Sequence, residues 1–297
     1  MGRGSYTASD WSKLKNSRNL SNASSEKEIF RSSKCDPRFD PRFIQMREAR
    51  DSEDHPDSTP IIIGLDVTGS MGYLANEIAK EGLHETMMKL FSTKPVNDPQ
   101  IMFSAVGDVV DDAPLQVTQF ESDIRIAQQL LDLWLEGGGG DGPEDYHLLW
   151  YFAAKHTATD RFEKRGQKGY LFTIGDADCH GTLSSENIKS IFNDKCEDLT
   201  ISDIAKMASE KYELFHINIV NGIKSKPAIL NKALPGRILC INKENISVIP
   251  ELIVSTLMLY QGSSMQDVLD SWPEQVSALL RESLKALVIS NDEVIKF

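Results

Sequence analysis

Asp66, Thr68 and Ser70 stand at alternate positions in "DVTGSMG", at the end of the apolar run "PIIIGLDV". One carboxylate and two hydroxyls are hard oxygen donors, the ligand set of a small divalent cation. Two further carboxylates are placed to join them. Asp176 ends a second apolar run in "YLFTIGDAD", and Asp141 follows the glycines of "EGGGGDGPEDY". Acids gathered at one spot repel each other unless a cation sits among them. The glycine run does not suit a phosphate: it lacks the GK[ST] ending of a nucleotide loop and leads into Asp141, Glu144 and Asp145. Glu144 is a second-choice ligand, and its simpler role is to complement the dipole of a helix starting at Pro143.

The elements that carry these donors decide whether they meet. "PIIIGLDV", "KGYLFTIGDAD", "ELFHINIV" and "GRILCI" are short apolar runs of the kind found in strands buried on both faces. Between them lie stretches with apolar residues at helical spacing, among them "YLANEIAKEGLHETMMKLF", "SDIRIAQQLLDLWL", "PEDYHLLWYFAAKHT", "SDIAKMASEKY" and "VIPELIVSTLMLYQG". "QIMFSAVGDVV" and "LQVTQF" flank the turn signal "DDAP" and read as a hairpin. The alternation predicts an α/β fold: a three-layer α/β/α sandwich with a Rossmann-like, mostly parallel central sheet and one antiparallel edge strand. Ligands of such sheets sit beyond the carboxyl ends of the strands, where Asp66, Asp141 and Asp176 fall. Ser122 is the expected N-cap of its helix, and Ser271 with Glu274 the expected capping box of a C-terminal helix around Pro273.

Three parts are expected. Residues 59–262 form the domain, and residues 263–297 a helical extension packed on it. Residues 1–58 form an N-terminal arm, extended or partly disordered, rich in Ser, Asn, Asp and Arg. The arm contains the tandem repeat "DPRFDPRF", whose prolines forbid a helix interior and whose Phe39 and Phe43 could dock on the domain or on a partner. The net charge of −12 argues against nucleic acid and anionic membrane as partners, and no run approaches the length of a membrane span. Cys35, Cys179, Cys196 and Cys240 form no CxxC pair, the pattern of reduced thiols in a cytoplasmic protein.

"DVTGSMG" resembles the DxSxS signature of von Willebrand factor type A domains, with Thr68 in place of the first serine. The resemblance covers residues 59–262 and is closest to intracellular and prokaryotic members. It implies a metal-ion-dependent adhesion site, usually holding magnesium, with manganese or calcium as other ions the donors suit. By it Asp66, Thr68 and Ser70 are motif residues, Asp176 matches a later-strand aspartate, and Asp141 stands where the family usually has threonine. The implied role is metal-dependent binding of a partner protein whose carboxylate completes the metal shell, in an intracellular assembly, with AAA-type ATPases as a frequent setting. No catalysis is implied.

An enzyme is the alternative. "DVTGS" also resembles the "DKTGT" of phosphatases of the haloacid dehalogenase type, in which Asp66 would be the nucleophile and Asp176 and Asp178 would hold magnesium. Thr68 stands where most such enzymes need an acid, and the glycine loop has no part in that scheme. Plainer readings cover the rest. Asp178 and His180 are ordinary strand-end loop residues, and Asp108, Asp111 and Asp112 serve a turn. Glu77, Glu81 and Glu85 line a solvated helix face. The histidines lack zinc spacing.

Overall fold

The computed structural model describes residues 4–21, 24–69, 71, 77, 82–139, 142–221 and 227–287. In chain order its elements begin with α1 (Ala8–Ser17), α2 (Glu26–Ile29), β1 (Arg47–Ala49), β2 (Thr59–Asp66), α3 (Leu83–Thr93), β3 (Pro99–Val106) and β4 (Leu115–Val117). There follow α4 (Arg125–Leu131), α5 (His147–Lys155), β5 (Thr157–Thr159), α6 (Asp160–Arg165), β6 (Gly169–Gly175), β7 (Thr182–Leu183), α7 (Ser185–Phe192) and β8 (Leu199–Thr200). The chain continues through α8 (Ile201–Ser209), β9 (Tyr212–Val220), α9 (Ala228–Ala233), β10 (Ile238–Asn242), α10 (Ile249–Tyr260), α11 (Met265–Asp270) and α12 (Glu274–Leu284).

The central sheet runs β4-β3-β2-β6-β9-β10, parallel throughout except for the antiparallel β3–β4 pair. Numbered among themselves these strands have the order 3-2-1-4-5-6 with an inverted third strand, so the fold is von Willebrand A-like. Because side chains alternate across a strand, β2 feeds two cores. Ile61, Ile63 and Leu65 face the layer containing α3, α4 and α10, whereas Ile62 faces the layer of α5, α7 and α8. Every residue of β2 is buried, as the continuous apolar run predicts.

Helix α1 forms where no sustained period is legible, because it buries only Trp11 and Leu14; Thr7 caps it by accepting from the Asp10 amide. Tyr6, Trp11, Ile29, Phe30 and Phe39 join the first core, and Trp11 stacks on His84 at 5.8 Å between ring centroids. Phe39 is 2% exposed and Phe43 is 70% exposed. The Phe39 carbonyl accepts from the Val117 amide of β4, and β1 pairs in parallel with β5. Downstream, Leu280 and Leu284 of α12 join the first core, and Ser283 Oγ donates to the Cys240 carbonyl.

Two expected caps are not formed. Ser122 Oγ donates to the Gly4 carbonyl, and α4 begins at Arg125, whose amide is held by Asp123. Ser271 ends α11 and donates to the Asp267 carbonyl, so α12 starts on Pro273 without a capping box. In both places a hydroxyl within reach of a nearby carbonyl is used there instead of at the helix start.

Asp51 fastens the arm to α6. Burial works against its ionisation, but Arg165 at 2.7 Å and the Ser58 hydroxyl and amide outweigh it and hold the carboxyl at about 2, below its usual 3.8. This contribution, roughly 2 kcal/mol, is complete above about pH 4 and is lost as pH falls through 2. Asp51→Asn is therefore expected to flatten the loss of stability on acidification in that window, read by denaturant melts at each pH. An unchanged slope would show that the pairing contributes nothing to stability.

Candidate metal centre

Asp66 is the last residue of β2 and is fully buried. Its Oδ1 accepts from the Thr68 amide (3.0 Å) and hydroxyl (2.7 Å), and its Oδ2 accepts from Tyr146 Oη (2.8 Å). Burial dominates the electrostatics and lifts the carboxyl to about 6, although these hydrogen bonds oppose the rise; the charge of Asp176 adds to it. Asp176 is exposed at the end of β6, close enough for that influence. Ser70 and Asp141 lie outside the described residues, as do Glu81 and Gly140.

Glu144 does not sit in the first turn of a helix. Helix α5 begins at His147, and Glu144 is drawn out of it by a backbone bridge to the β6 loop, donating to the Asp178 carbonyl at 2.8 Å and accepting from the His180 amide at 3.1 Å. The side chain is 6% exposed and hydrogen-bonds with Thr68. Burial, then the charge of Asp66, push it to about 8. Its Oε2 is buried with no partner among the described residues. Two buried carboxylates thus face each other across one hydroxyl, and one of them has an orphaned oxygen. A divalent cation fits such a donor set, because it supplies the charge and the coordination that the oxygens lack.

The glycine loop is positioned by an acid assigned above to a turn. Asp111 accepts from the Asp108 amide and from the Gly139 amide at 2.9 Å, while Gly69 donates to the Gly138 carbonyl at 2.9 Å. A Cβ on Gly138 would come within 2.1 Å of Asp111 Oδ1, so the loop must be bare there to be clasped. Asp178 is structural: it accepts from the Ile229 and Leu230 amides at the start of α9. His180 is not an isolated loop residue. Its Nδ1 lies 3.1 Å from Asp145 Oδ1, and among the described residues Asp108, Asp145 and His180 bring one ligand atom each within 4.8 Å of one another. Asp145 is itself raised to about 6 by burial, against the Val109 amide and His180. No spacing rule marks this trio, since its members come from three separate loops.

No protein-family model and no curated protein matches the sequence. Among solved structures the chain is similar to the pilus adhesin SpaC of Lactobacillus rhamnosus GG, with 10% identity over 71% of this chain and 32% of that one and a TM-score of 0.49. It is also similar to proximal thread matrix protein 1 from the mussel byssus, with a zinc-occupied MIDAS motif (12% identity, 72% of this chain, 49% of that one, TM-score 0.46). A von Willebrand factor type A structure from Catenulispora acidiphila matches at 14% identity over 68% of this chain and 43% of that one, with a TM-score of 0.38. The chain thus spans a third to a half of the length of these structures. Its fold class rests on its own strand order.

Proposed function

We propose that this protein is a metal-dependent protein-binding domain in which Asp66, Thr68 and Glu144 hold a divalent cation, with Ser70, Asp141 and Asp176 as the remaining donors named by the sequence. The observation that carries this reading is the orphaned, buried Oε2 of Glu144 beside Asp66. The bound ion supplies a Lewis-acidic position that an oxygen of a partner can take. The chain's own part is to hold the donors still. Tyr146 fixes one oxygen of Asp66, Thr68 fixes the other, and the bridge to Asp178 fixes the backbone of Glu144. Magnesium is the ion proposed, with manganese and calcium as the alternatives tested beside it. A carboxylate-bearing protein is the proposed partner, in the cytoplasm and within an assembly of the AAA-type ATPase kind. Among the described residues no helix is long and apolar enough to cross a membrane.

Binding is preferred to catalysis because Thr68 stands where most phosphatases of the alternative type need an acid, and because the glycine loop clasped by Asp111 has no part in that chemistry. The test is thermal melting with EDTA, magnesium, manganese or calcium. At a hundredfold excess over Kd the ion should stabilise by about 2.7 kcal/mol, and Asp66→Ala and Glu144→Gln should each lose that shift. No shift with any of these ions would sink the reading. Affinity capture with wild type and Asp66→Ala in magnesium then identifies the partner. Magnesium-dependent hydrolysis of a phosphomonoester, abolished in Asp66→Asn, would replace binding with catalysis.

A further inference from the structure

The two copies of the DPRF repeat have opposite fates. Phe39 is buried in the first core, while Phe43, with the Arg42 guanidinium 5.9 Å above its ring, stands 70% exposed. Phe43 and Met46, itself 41% exposed, line a groove of about 670 Å³ between this segment and α4, with Gln128 on the opposite wall.

Three arginines line the same groove. Arg38 is paired with Asp36, and Arg125 with Glu121 and Asp123. Arg47 differs. One of its terminal nitrogens donates to the carbonyls of Arg38 and Val117, its Nε is buried with no partner among the described residues, and no described carboxylate pairs with it. Burial alone depresses it, to about 10. A half-buried guanidinium without a counter-charge is costly; with Nε closed off and one terminal nitrogen held by backbone carbonyls, the other terminal nitrogen is the one left to meet a carboxylate. With no described carboxylate beside it, the counter-charge for this cation is left to an anion from another molecule.

We infer that this groove is a docking site for an extended acidic segment of a partner protein, one carboxylate of which pairs with Arg47 while a neighbouring apolar side chain covers Phe43 and Met46. A peptide suits the site better than a small anion, because a small anion paired with the cation would leave the exposed apolar side chains of Phe43 and Met46 uncovered. The surface shares no residue with the loops around Asp66 and needs no metal.

The probe is a fluorescein-labelled decapeptide with a Phe-Asp-Glu-Leu core, compared with its Phe-Asn-Gln-Leu amide counterpart by fluorescence anisotropy in EDTA. The acidic peptide is expected to bind at least about tenfold tighter than the amide one, the effect of a charge-assisted pair. Arg47→Gln should erase that difference. Phe43→Ala, at an exposed position that leaves folding intact, should weaken the acidic peptide about fivefold or more, and Asp66→Ala should leave it unchanged. Equal binding of the two peptides, no binding at about 1 mM, or indifference to Phe43→Ala would overturn the inference. Loss of binding in Asp66→Ala would also overturn it by moving the acid to the metal centre, whereas failure of the metal-shift test alone would leave this site standing.

Discussion

Replacing Gly175 by alanine is expected to destabilise the protein by about 3 kcal/mol and to dislodge Asp66. Gly175 closes β6, and a Cβ there would lie 2.0 Å from Tyr146 Oη, 2.6 Å from its Cζ and 2.8 Å from Asp66 Oδ2. Tyr146 has no room to retreat: it is fully buried and packs on His216 with 4.7 Å between ring centroids. The methyl group must push apart the one pair of side chains that fixes the second oxygen of Asp66. A chain of this size should melt about 5 °C lower, and the magnesium-induced shift should vanish with the site. Adding Tyr146→Phe removes the nearest atom, so the double variant should recover part of the stability lost by Gly175→Ala alone. Melting of Gly175→Ala within about 2 °C of wild type would refute the packing described around Asp66.

The second large effect is expected from removing residues 1–58. Tyr6, Trp11, Ile29, Phe30 and Phe39 are each 5% exposed or less. Burying a side chain of this kind contributes about 1.5–3 kcal/mol, so together they supply about 7–15 kcal/mol as an upper bound. That is the size of an entire folding free energy. The arm's polar ties go with them, including Arg50 to Asp160 at 2.9 Å and Asp51 to Arg165. A chain starting at Thr59 is therefore expected to lack a cooperative thermal transition. A sharp melt within about 10 °C of the full chain would show that the arm only decorates a domain stable by itself.

How much of this was legible depended on distance along the chain. The four parallel strands announced by apolar runs, and the hairpin after β3, are set by local pattern and stand where the sequence predicts them. Asp66 and Thr68 are close because they are two residues apart. Tyr146 was invisible as a partner of Asp66: eighty positions separate them, and a tyrosine at a helix start carries no signal of the carboxylate it will meet. Glu144 read as a helix-start acid because Pro143 precedes it, yet pairing with the Asp178–His180 segment pulls it out of α5. Asp111 read as a turn residue and is one, since it accepts from the Asp108 amide. Its second bond, to Gly139, is the long-range one. In each case local chemistry named a group's capacity, and the fold chose which remote atom used it.

The two extensions also decide how many strands the sheet has. At one end the outermost strand is β4, where Phe39 takes the Val117 amide and Arg47 the Val117 carbonyl. At the other end is β10, where Ser283 of α12 occupies the Cys240 carbonyl. Unclaimed amides and carbonyls at the margin of a sheet invite a strand from another molecule. Arm and tail thus act as terminators, each occupying at the sheet's margin a backbone group that a strand from another molecule would otherwise pair with.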